Sequence, residues 1–564
     1  MPLRIAYLSV TSSFSHSSPV YGQLRAFTEQ NFKKETHWLN LEVSINESHD
    51  AAIQRIIEFK PEIILSTAYL FNIEVLLKIL AKVSILLPEI VIALGGPEFL
   101  GNNEAFLRHN KFVSAVFRGD ESSLPNFLEC IKNKEGWRKI EGICYLDNNL
   151  YIYNGLSRFN GSLDALPSPY SKGYFSTNKP FIHFETSRGC PSHCLFCSSS
   201  NTPPQYYSLE RVKADLFIIE KSGIREIRLL DRTFNIPEDR AISLIELFIN
   251  SFPSLKFHIE IDPAKISERF FTAIKKAPKD MFHIEAGIQS FSIESLKAVN
   301  RSHDPEKLKK NLKALCLLPN IKVHTDLIAG LPYHKVDMAI NDLYILAELN
   351  PDEIQIELLK LLPGSPLRNS ENFNIKYSPF PPYEVLETQD ISFSELSSIR
   401  IISRIFDSYY NENQLKMLIR FAIKTDKDFI HSFAALFGLA FSKREKPSIN
   451  TRLKFILDYA VNSVQLYDMA IFTSLLMGII PKGKKTIRLI KDKDLKNLSR
   501  EIIWQNEHKL YSNIAVECSF DSDPAEFFLH GNISKNKSSS TYIFYYPTLS
   551  FSKTISHFEK VIKN

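Results

Sequence analysis

The first 125 or so residues alternate short apolar runs with segments whose apolar positions recur at helical spacing. Arg4–Val10 is an apolar run that reads as a buried strand. Ala51–Phe59 carries Ile53, Ile56 and Ile57 on one helical face, and Pro61–Thr67 is a second apolar run. Val75, Leu76, Ile79 and Leu80 mark the next helix. Glu89–Leu94 is a third run ending in Gly95-Gly96-Pro97, and Ser114–Phe117 is a fourth. Strands separated by helices predict a parallel, doubly wound sheet over residues 1–130. Residues 131–178 read as a polar connector with a hairpin, in which Asp147-Asn148-Asn149 joins Ile143–Leu146 to Leu150–Tyr153.

A second alternating series fills residues 179–371. Its strand candidates are Phe181–Thr186, Glu226–Leu230, Lys256–Ile261, Met281–Ile288, Lys322–Ile328 and Glu353–Leu358, with helical segments between them. Six strand–helix units match a partial (β/α)6 barrel, whose chemistry belongs at the C-terminal strand ends. Residues 372–564 lose the alternation and read as a mainly helical domain. Tyr383–Phe406 and Leu415–Phe441 are its expected helices, and Tyr542–Tyr546 is a late strand. The basic stretch Lys482–Arg500 reads as a solvated helix face. The fold class is therefore α/β, with a helical domain appended.

Composition narrows the function classes. The 564 residues are 44% hydrophobic and 23% charged, which is ordinary globular usage. Sixty-eight Lys+Arg against sixty-three Asp+Glu leave a net charge of +5, which does not point to nucleic acid. The longest apolar runs are shorter than the roughly 20 residues of a membrane span, and Met1–Val10 reads as a strand rather than a signal peptide. A cytoplasmic protein is expected. Seven cysteines are too few for a disulfide framework. Cys130, Cys144, Cys316 and Cys518 are scattered and read as small core thiols. The other three are gathered in Cys190-Pro-Ser-His-Cys194-Leu-Phe-Cys197. Three thiols on one loop suit iron–sulfur or zinc, and a closed structural zinc site wants a fourth ligand.

The Cys-x3-Cys-x2-Cys spacing, with Phe196 before the last cysteine and Glu185-Thr-Ser-Arg-Gly-Cys190 leading in, resembles the radical S-adenosylmethionine (SAM) superfamily. The resemblance implies a [4Fe–4S] cluster on Cys190, Cys194 and Cys197, with SAM on the open iron. Segments at later strand ends resemble relatives too. They are Asp231-Arg232-Thr233 after the second strand, Glu260 on the third, Gly287-Ile-Gln289-Ser290 on the fourth, and Asp326-Leu-Ile-Ala-Gly330 on the fifth. By this resemblance Phe196, Asp231, Glu260, Gln289, Ser290, Asp326 and Gly330 are candidates for holding SAM.

Upstream, Ser66-Thr67-Ala68 followed after twenty-six residues by Gly95-Gly96 resembles the cobalamin-binding domain of cobalamin-dependent radical enzymes. Ser66, Gly95 and Gly96 are the cobalamin candidates. The Asp-x-His-x-x-Gly motif of histidine-ligated cobalt is absent, and His16, in Phe14-Ser15-His16, lacks its aspartate and glycine. A base-off corrinoid without a reliable histidine ligand is implied. Pro382–Thr388 resembles an uncharacterised domain attached to such pairs. The implied activity is reductive cleavage of SAM to a 5′-deoxyadenosyl radical and cobalamin-dependent radical methylation, with a flavodoxin- or ferredoxin-type electron donor. Radical cyclisation or rearrangement without methyl transfer is one alternative, and a corrinoid-binding protein without catalysis is another. Cys130 and Cys144 cannot supply the second three-cysteine cluster of a methylthiotransferase.

Overall fold

A computed structural model describes the chain except residues 17, 201, 302, 442–445, 482–484, 486, 491–499, 506–513, 534–538, 547–556 and 562–564. It divides into two units, Met1–Ala339 with Leu358–Leu396, and Ile340–Glu357 with Ser397–Asn564. No helix among the described residues is long and apolar enough to cross a membrane.

The first unit begins with a seven-stranded sheet. Its strands are β1 (Leu3–Thr11), β2 (Thr36–Ser44), β3 (Ile63–Thr67), β4 (Val91–Gly95), β5 (Ala115–Phe117), β6 (Ile143–Asp147) and β7 (Leu150–Tyr153), in the order β2-β1-β3-β4-β5-β6-β7. The first five are parallel, and β6 and β7 add antiparallel at one edge. Apolar side chains cover both faces. Ile56, Leu76 and Leu80 lie in one layer, and Tyr7, Phe127 and Trp137 in the other. The sheet is thus doubly wound as expected, with two differences. β2 was not anticipated, and the hairpin of the expected connector completes this sheet instead of standing apart.

The second sheet of this unit holds β8 (Phe181–Phe184), β9 (Glu226–Leu229), β10 (Lys256–Ile261), β11 (Phe282–Gln289) and β12 (Ile321–Ala329), all parallel and in chain order. Period-2 alternation sets its two faces. Phe257, Ile259 and Ile261 on β10, and Phe282, Ile284, Ala286 and Ile288 on β11, are buried under the outer helices. The intervening residues, His258, Glu260, His283, Glu285 and Gly287, line the inner face. β13 (Glu353–Leu358) forms where the sixth strand was expected, almost wholly within the second unit.

In the second unit the expected helix Leu415–Phe441 is two helices, Asn413–Thr425 and Phe429–Ala440, separated at Asp426-Lys427-Asp428. Tyr383–Phe406 is helical only from Phe393 onward, over Phe393–Ile405 and into the π-helical turn Phe406–Tyr410, because Val385–Glu387 is extended. Helices Ile449–Ala460 and Val464–Leu476 follow. The chain then forms an antiparallel sheet of β14 (Ile487–Ile490), β15 (Arg500–Gln505), β16 (Ile514–Phe520), β17 (Ser540–Tyr546) and β18 (His557–Val561), in the order β14-β16-β17-β18-β15. Phe472 anchors it, with ring centroids 5.4 to 5.9 Å from Phe520, Tyr542, Phe544 and Phe558. The helix expected over Lys482–Arg500 is corrected: Ile487–Ile490 is a strand, and residues 482–484, 486 and 491–499 lie outside the described residues. Lys485 is an ion-pair partner of the fully buried Asp468, at 2.8 Å.

Candidate cofactor site

β8 delivers the chain to a loop whose base is a two-residue ladder, Ser187–Arg188 against Gln205–Tyr206. Gly189 (φ +88°) is required there, since a Cβ would sit 2.4 Å from the Pro203 carbonyl oxygen. Beyond it the Cys190 amide donates to Thr202 O at 2.9 Å and the Cys197 amide to Cys194 O at 3.2 Å. The Leu195 amide ties the loop to Val299 O at 3.0 Å.

Each sulfur receives a polar neighbour. The Ser192 and Ser199 amides point at Cys190 and Cys197 Sγ, both at 3.4 Å. Thr233 Oγ1 is 3.4 Å from Cys190 Sγ, and Arg301 Nη1 is 3.6 Å from Cys194 Sγ. Burial pushes the Cys197 thiol up, the Ser199 amide and Arg232 oppose this, and Cys194 and Cys190 add to it. The three sulfurs thus feel one another, yet they are not all within 4.8 Å. Thiolates on one tetrahedral zinc stand about 3.8 Å apart, from a bond length of roughly 2.3 Å. As placed, the three sulfurs do not converge on a single tetrahedral ion. Phe196 is half-buried between Cys194 and Cys197.

The other SAM candidates differ in what already engages them. Asp231 is buried and accepts from the Thr186 amide (2.8 Å), the Thr186 hydroxyl and the Ser187 amide (3.1 Å), so it shapes the exit from β8. Ser290 Oγ accepts from the Ser292 amide at 2.9 Å and lies 3.1 Å from His334 Nε2. Gln289 and Gly330 hold φ of +68° and +88° at the ends of β11 and β12. A Cβ on Gly330 would meet Leu396 at 3.4 Å. Glu260 faces the lumen, where burial, opposed by Arg232 and reinforced by Glu285, pushes its carboxyl up to about 7. Burial works to raise Glu285 too, but the hydrogen bond from His258 and the charges of His258 and His324 leave it below its ordinary value. Asp326 is raised by burial, with His324 opposing.

Ser66, Gly95 and Gly96 come together on the wall of a cavity of about 380 Å³, with Tyr69, Glu121, Glu185, Arg188 and Arg232 among its other walls. Both sheets of the unit therefore contribute to it. Their roles separate. Ser66 donates its hydroxyl to Leu8 O. Gly96 (φ +106°) serves the chain's own turn, because a Cβ would strike Ala68 O at 2.5 Å. Gly95 alone clears the cavity, its nearest neighbour there being Phe117 Cβ at 3.7 Å. His16 is not among the lining residues; it packs on Phe181 and His183 at ring distances of 5.3 and 6.1 Å, with Nδ1 2.8 Å from Ser13 Oγ. Burial, and then the charges of Arg228 and Lys179, lower its pKa.

Sequence reasoning did not single out Arg188 and Arg301. Arg188 Nη1 lies 3.0 Å from both Glu121 oxygens and its Nε 3.0 Å from Glu185, which also accepts from Gln23 at 2.9 Å. Arg301 additionally donates to Gly287 O at 2.6 Å. Arg188 sits in the motif, where it could have been found; Arg301 is brought in only by the fold.

The chain is similar to several known proteins. Residues 184–343 match the radical SAM superfamily, and residues 371–517 match a protein family of unknown function, DUF4080. A tRNA-2-methylthio-N(6)-dimethylallyladenosine synthase of Methylococcus capsulatus is 23% identical over 294 residues, 50% of this chain and 59% of that protein. The cobalamin-dependent radical SAM methyltransferase TokK of Streptomyces tokunonensis is 20% identical over 376 residues, 62% and 54% of the two chains. The chain spans about half the length of the curated relatives it matches. Among solved structures, the cobalamin-dependent SAM radical enzyme OxsB with aqua-cobalamin and SAM bound superposes with a TM-score of 0.59 at 16% identity, covering 86% of this chain and 82% of that one. The chain thus has the fold seen in the cobalamin-dependent radical SAM enzyme OxsB, and its residues 184–343 match the radical SAM superfamily.

Proposed function

We propose that the protein is a cobalamin-dependent radical SAM methyltransferase. The observation that carries this reading is the shared cavity, in which Gly95 and Gly96 at the end of β4 meet Glu185, Arg188 and Arg232 at the mouth of the cluster loop. Gly95 would give a corrinoid its open wall, and Glu185, Arg188 and Arg232 line the same cavity.

When bound, a [4Fe–4S] cluster supplies the electron that cleaves SAM to methionine and a 5′-deoxyadenosyl radical, and methylcobalamin supplies a methyl group. Cys190, Cys194 and Cys197 would hold the cluster, with the Ser192 and Ser199 amides, Thr233 and Arg301 supporting their sulfurs. Phe196, Glu260, Gln289, Ser290 and Gly330 would line the SAM site. Asp231 acts there as a positioning residue, its carboxylate already engaged by Thr186 and Ser187. His16, which packs on Phe181 and His183, would not be among the residues that hold the corrinoid. Cys130 and Cys144 sit apart on a short helix end and on β6, which favours methylation over methylthiolation. A small acidic ferredoxin or flavodoxin in the cytoplasm would be the electron donor.

The test is anaerobic reconstitution with iron and sulfide, addition of cobalamin, then reductant and SAM, with nucleosides counted. About four irons per chain, bound base-off cobalamin, 5′-deoxyadenosine and, with a substrate, S-adenosylhomocysteine are expected. Iron and 5′-deoxyadenosine without corrinoid binding would remove methylation, and zinc without SAM cleavage would remove the whole reading.

A further inference from the structure

β2 (Thr36–Ser44) is one edge of the seven-stranded sheet, bonded on a single side to β1 through nine consecutive register pairs without a bulge. The bonds at its two ends show which backbone groups face β1. Leu3 N donates to Glu35 O and Ile45 N to Thr11 O, each at 2.9 Å. Inward and outward residues alternate along a strand. The odd-numbered residues of β2 therefore bond to β1, and the even-numbered ones turn their N–H and C=O outward. Ser44 fits this: its amide donates to Glu47 Oε2 at 3.2 Å, and its carbonyl lies 3.0 Å from His49 Nε2. Trp38, Asn40 and Glu42 have no such caps among the described residues, which leaves three N–H and three C=O groups of the edge for a partner.

Exposed edges are ordinarily guarded by proline, lysine, a bulge or short length. β2 has none of these guards. Its nine residues, Thr-His-Trp-Leu-Asn-Leu-Glu-Val-Ser, include no proline, glycine or lysine, and they exceed the usual length of about five or six. Asn40 and Glu42 are exposed. The one carboxylate of the strand, on Glu42, is ion-paired within the chain to the buried Lys179. At the opposite edge of the sheet β7 spans only four residues.

We propose that β2 pairs with β2 of a second copy of this chain, antiparallel and about a two-fold axis beside Asn40, so that two sheets join into one. Closed two-fold pairs are the commonest homo-oligomers, and they require a surface that complements itself. The edge does so in this register. Its outward residues form hydrogen-bonded pairs, Asn40 with Asn40, and Trp38 with Glu42 in both directions. Between them Leu39 of each copy faces Leu41 of the other at the closer, non-hydrogen-bonded spacing. Leu39 and Leu41 already belong to the apolar layer that holds Ile56 and Leu76, and the pairing carries that layer across the axis. The two Glu42 carboxylates fall on opposite sides of the axis, about 13 Å apart along the strands. No like charges face each other, so nothing in the edge opposes the pair.

The test is sedimentation velocity of the full chain at about 100 μM, well above a micromolar Kd. A thiol reductant is present, so that no disulfide links two chains. A dimer is expected. Asn40→Pro removes an outward N–H that the protein's own ladder does not use, and Asn40→Lys sets two cations against each other at the axis. Each should weaken association at least about tenfold while the circular dichroism is unchanged. Asn40→Asp should do the same alone, and an equimolar mixture of the Asn40→Lys and Asn40→Asp chains should restore the dimer. Where Asn40→Pro does not fold, the two charged variants and their mixture decide. A native chain that stays monomeric overturns the pairing and leaves the edge to an extended peptide. A dimer that the variants leave intact, or a mixture that stays monomeric, overturns it too. The readout needs neither cluster nor SAM, so the pairing and the proposed activity fail separately.

Discussion

Glu260 makes the electrostatics of the lumen measurable. Its carboxyl lies in the folded protein near pH 7 instead of its ordinary 4.5, chiefly through burial, with Glu285 on the register-paired position adding repulsion. Between those values the folded chain holds a proton that the unfolded chain has released. Stability therefore falls as pH rises through that window and levels off above it. A shift of this size corresponds to about 3 kcal/mol of lost stability at pH 8. Glu260→Gln keeps the shape and removes the titration. The variant should match the native protein near pH 4.5 and exceed it by up to about 3 kcal/mol at pH 8. For a unit of this size that is about 4 °C in the melting transition. Relief of repulsion on Asp326 works in the same direction. Thermal unfolding of both proteins from pH 5 to 8.5 reads the difference, and infrared absorption reads the protonated carboxyl at pH 6. A variant that stays parallel to the native protein at every pH, with its carboxyl band unchanged, would refute the reasoning.

Other expectations are more local. Glu121→Ala leaves the mostly buried Arg188 guanidinium without its bidentate partner and should cost about 3–5 kcal/mol in thermal or urea unfolding; a loss below 1 kcal/mol would show that water replaces it. Gly95→Ala finds only Phe117 Cβ at 3.7 Å, so it should fold normally yet weaken cobalamin at least about tenfold in optical titration. Gly96→Ala, at φ +106° and 2.5 Å from Ala68 O, should instead lose about 1–3 kcal/mol of stability. Arg301→Met removes a cation 3.6 Å from Cys194 Sγ, and the reconstituted cluster should become harder to reduce by roughly tens of millivolts. An unchanged potential in spectroelectrochemistry would mean that Arg301 only braces Gly287.

Alternation of apolar and polar residues made most strands of both parallel sheets readable, because each must bury at least one face. β2 escaped because it is an edge strand: its alternation is confined to Leu39, Leu41 and Val43, and only one side of it is paired. The hairpin β6–β7 was legible as a hairpin, but its attachment to β5 rests on long-range burial of Cys144 and Tyr145. The helix from Leu415 onward looked continuous because Asp426-Lys427-Asp428 occupies less than one turn of a periodic pattern. The cluster loop was compact enough in sequence to be recognised. His258 and His283 stand beside the glutamates in two His-Ile-Glu strands, yet their pairing needs the register, which no single strand reveals. Arg301 carries no local signal, since its approach to Cys194 depends on how the chain returns after β11.

The cavity motif shows why resemblance and chemistry must be separated residue by residue. Ser66 is held by the Leu8 carbonyl, Gly96 by its own turn, and Gly95 alone leaves open space. The motif therefore builds a strand end first and a ligand surface second. The opposite wall is built the same way. Gln23 from the helix Val20–Asn31, Glu185 from the end of β8, Arg188 from the cluster loop and Glu121 from the turn after β5 form one hydrogen-bonded chain across the two sheets. Removing either arginine-bound carboxylate takes from the mostly buried Arg188 one of its two ion-pair partners. The wall is thus determined by the protein's own bonds, before any ligand arrives. A cofactor entering such a cavity has little loop ordering to induce, so its affinity reports shape and open space more than conformational cost. That is the reason Gly95, the residue with the least to do in the protein's own fold, is the one whose substitution speaks most directly to the corrinoid.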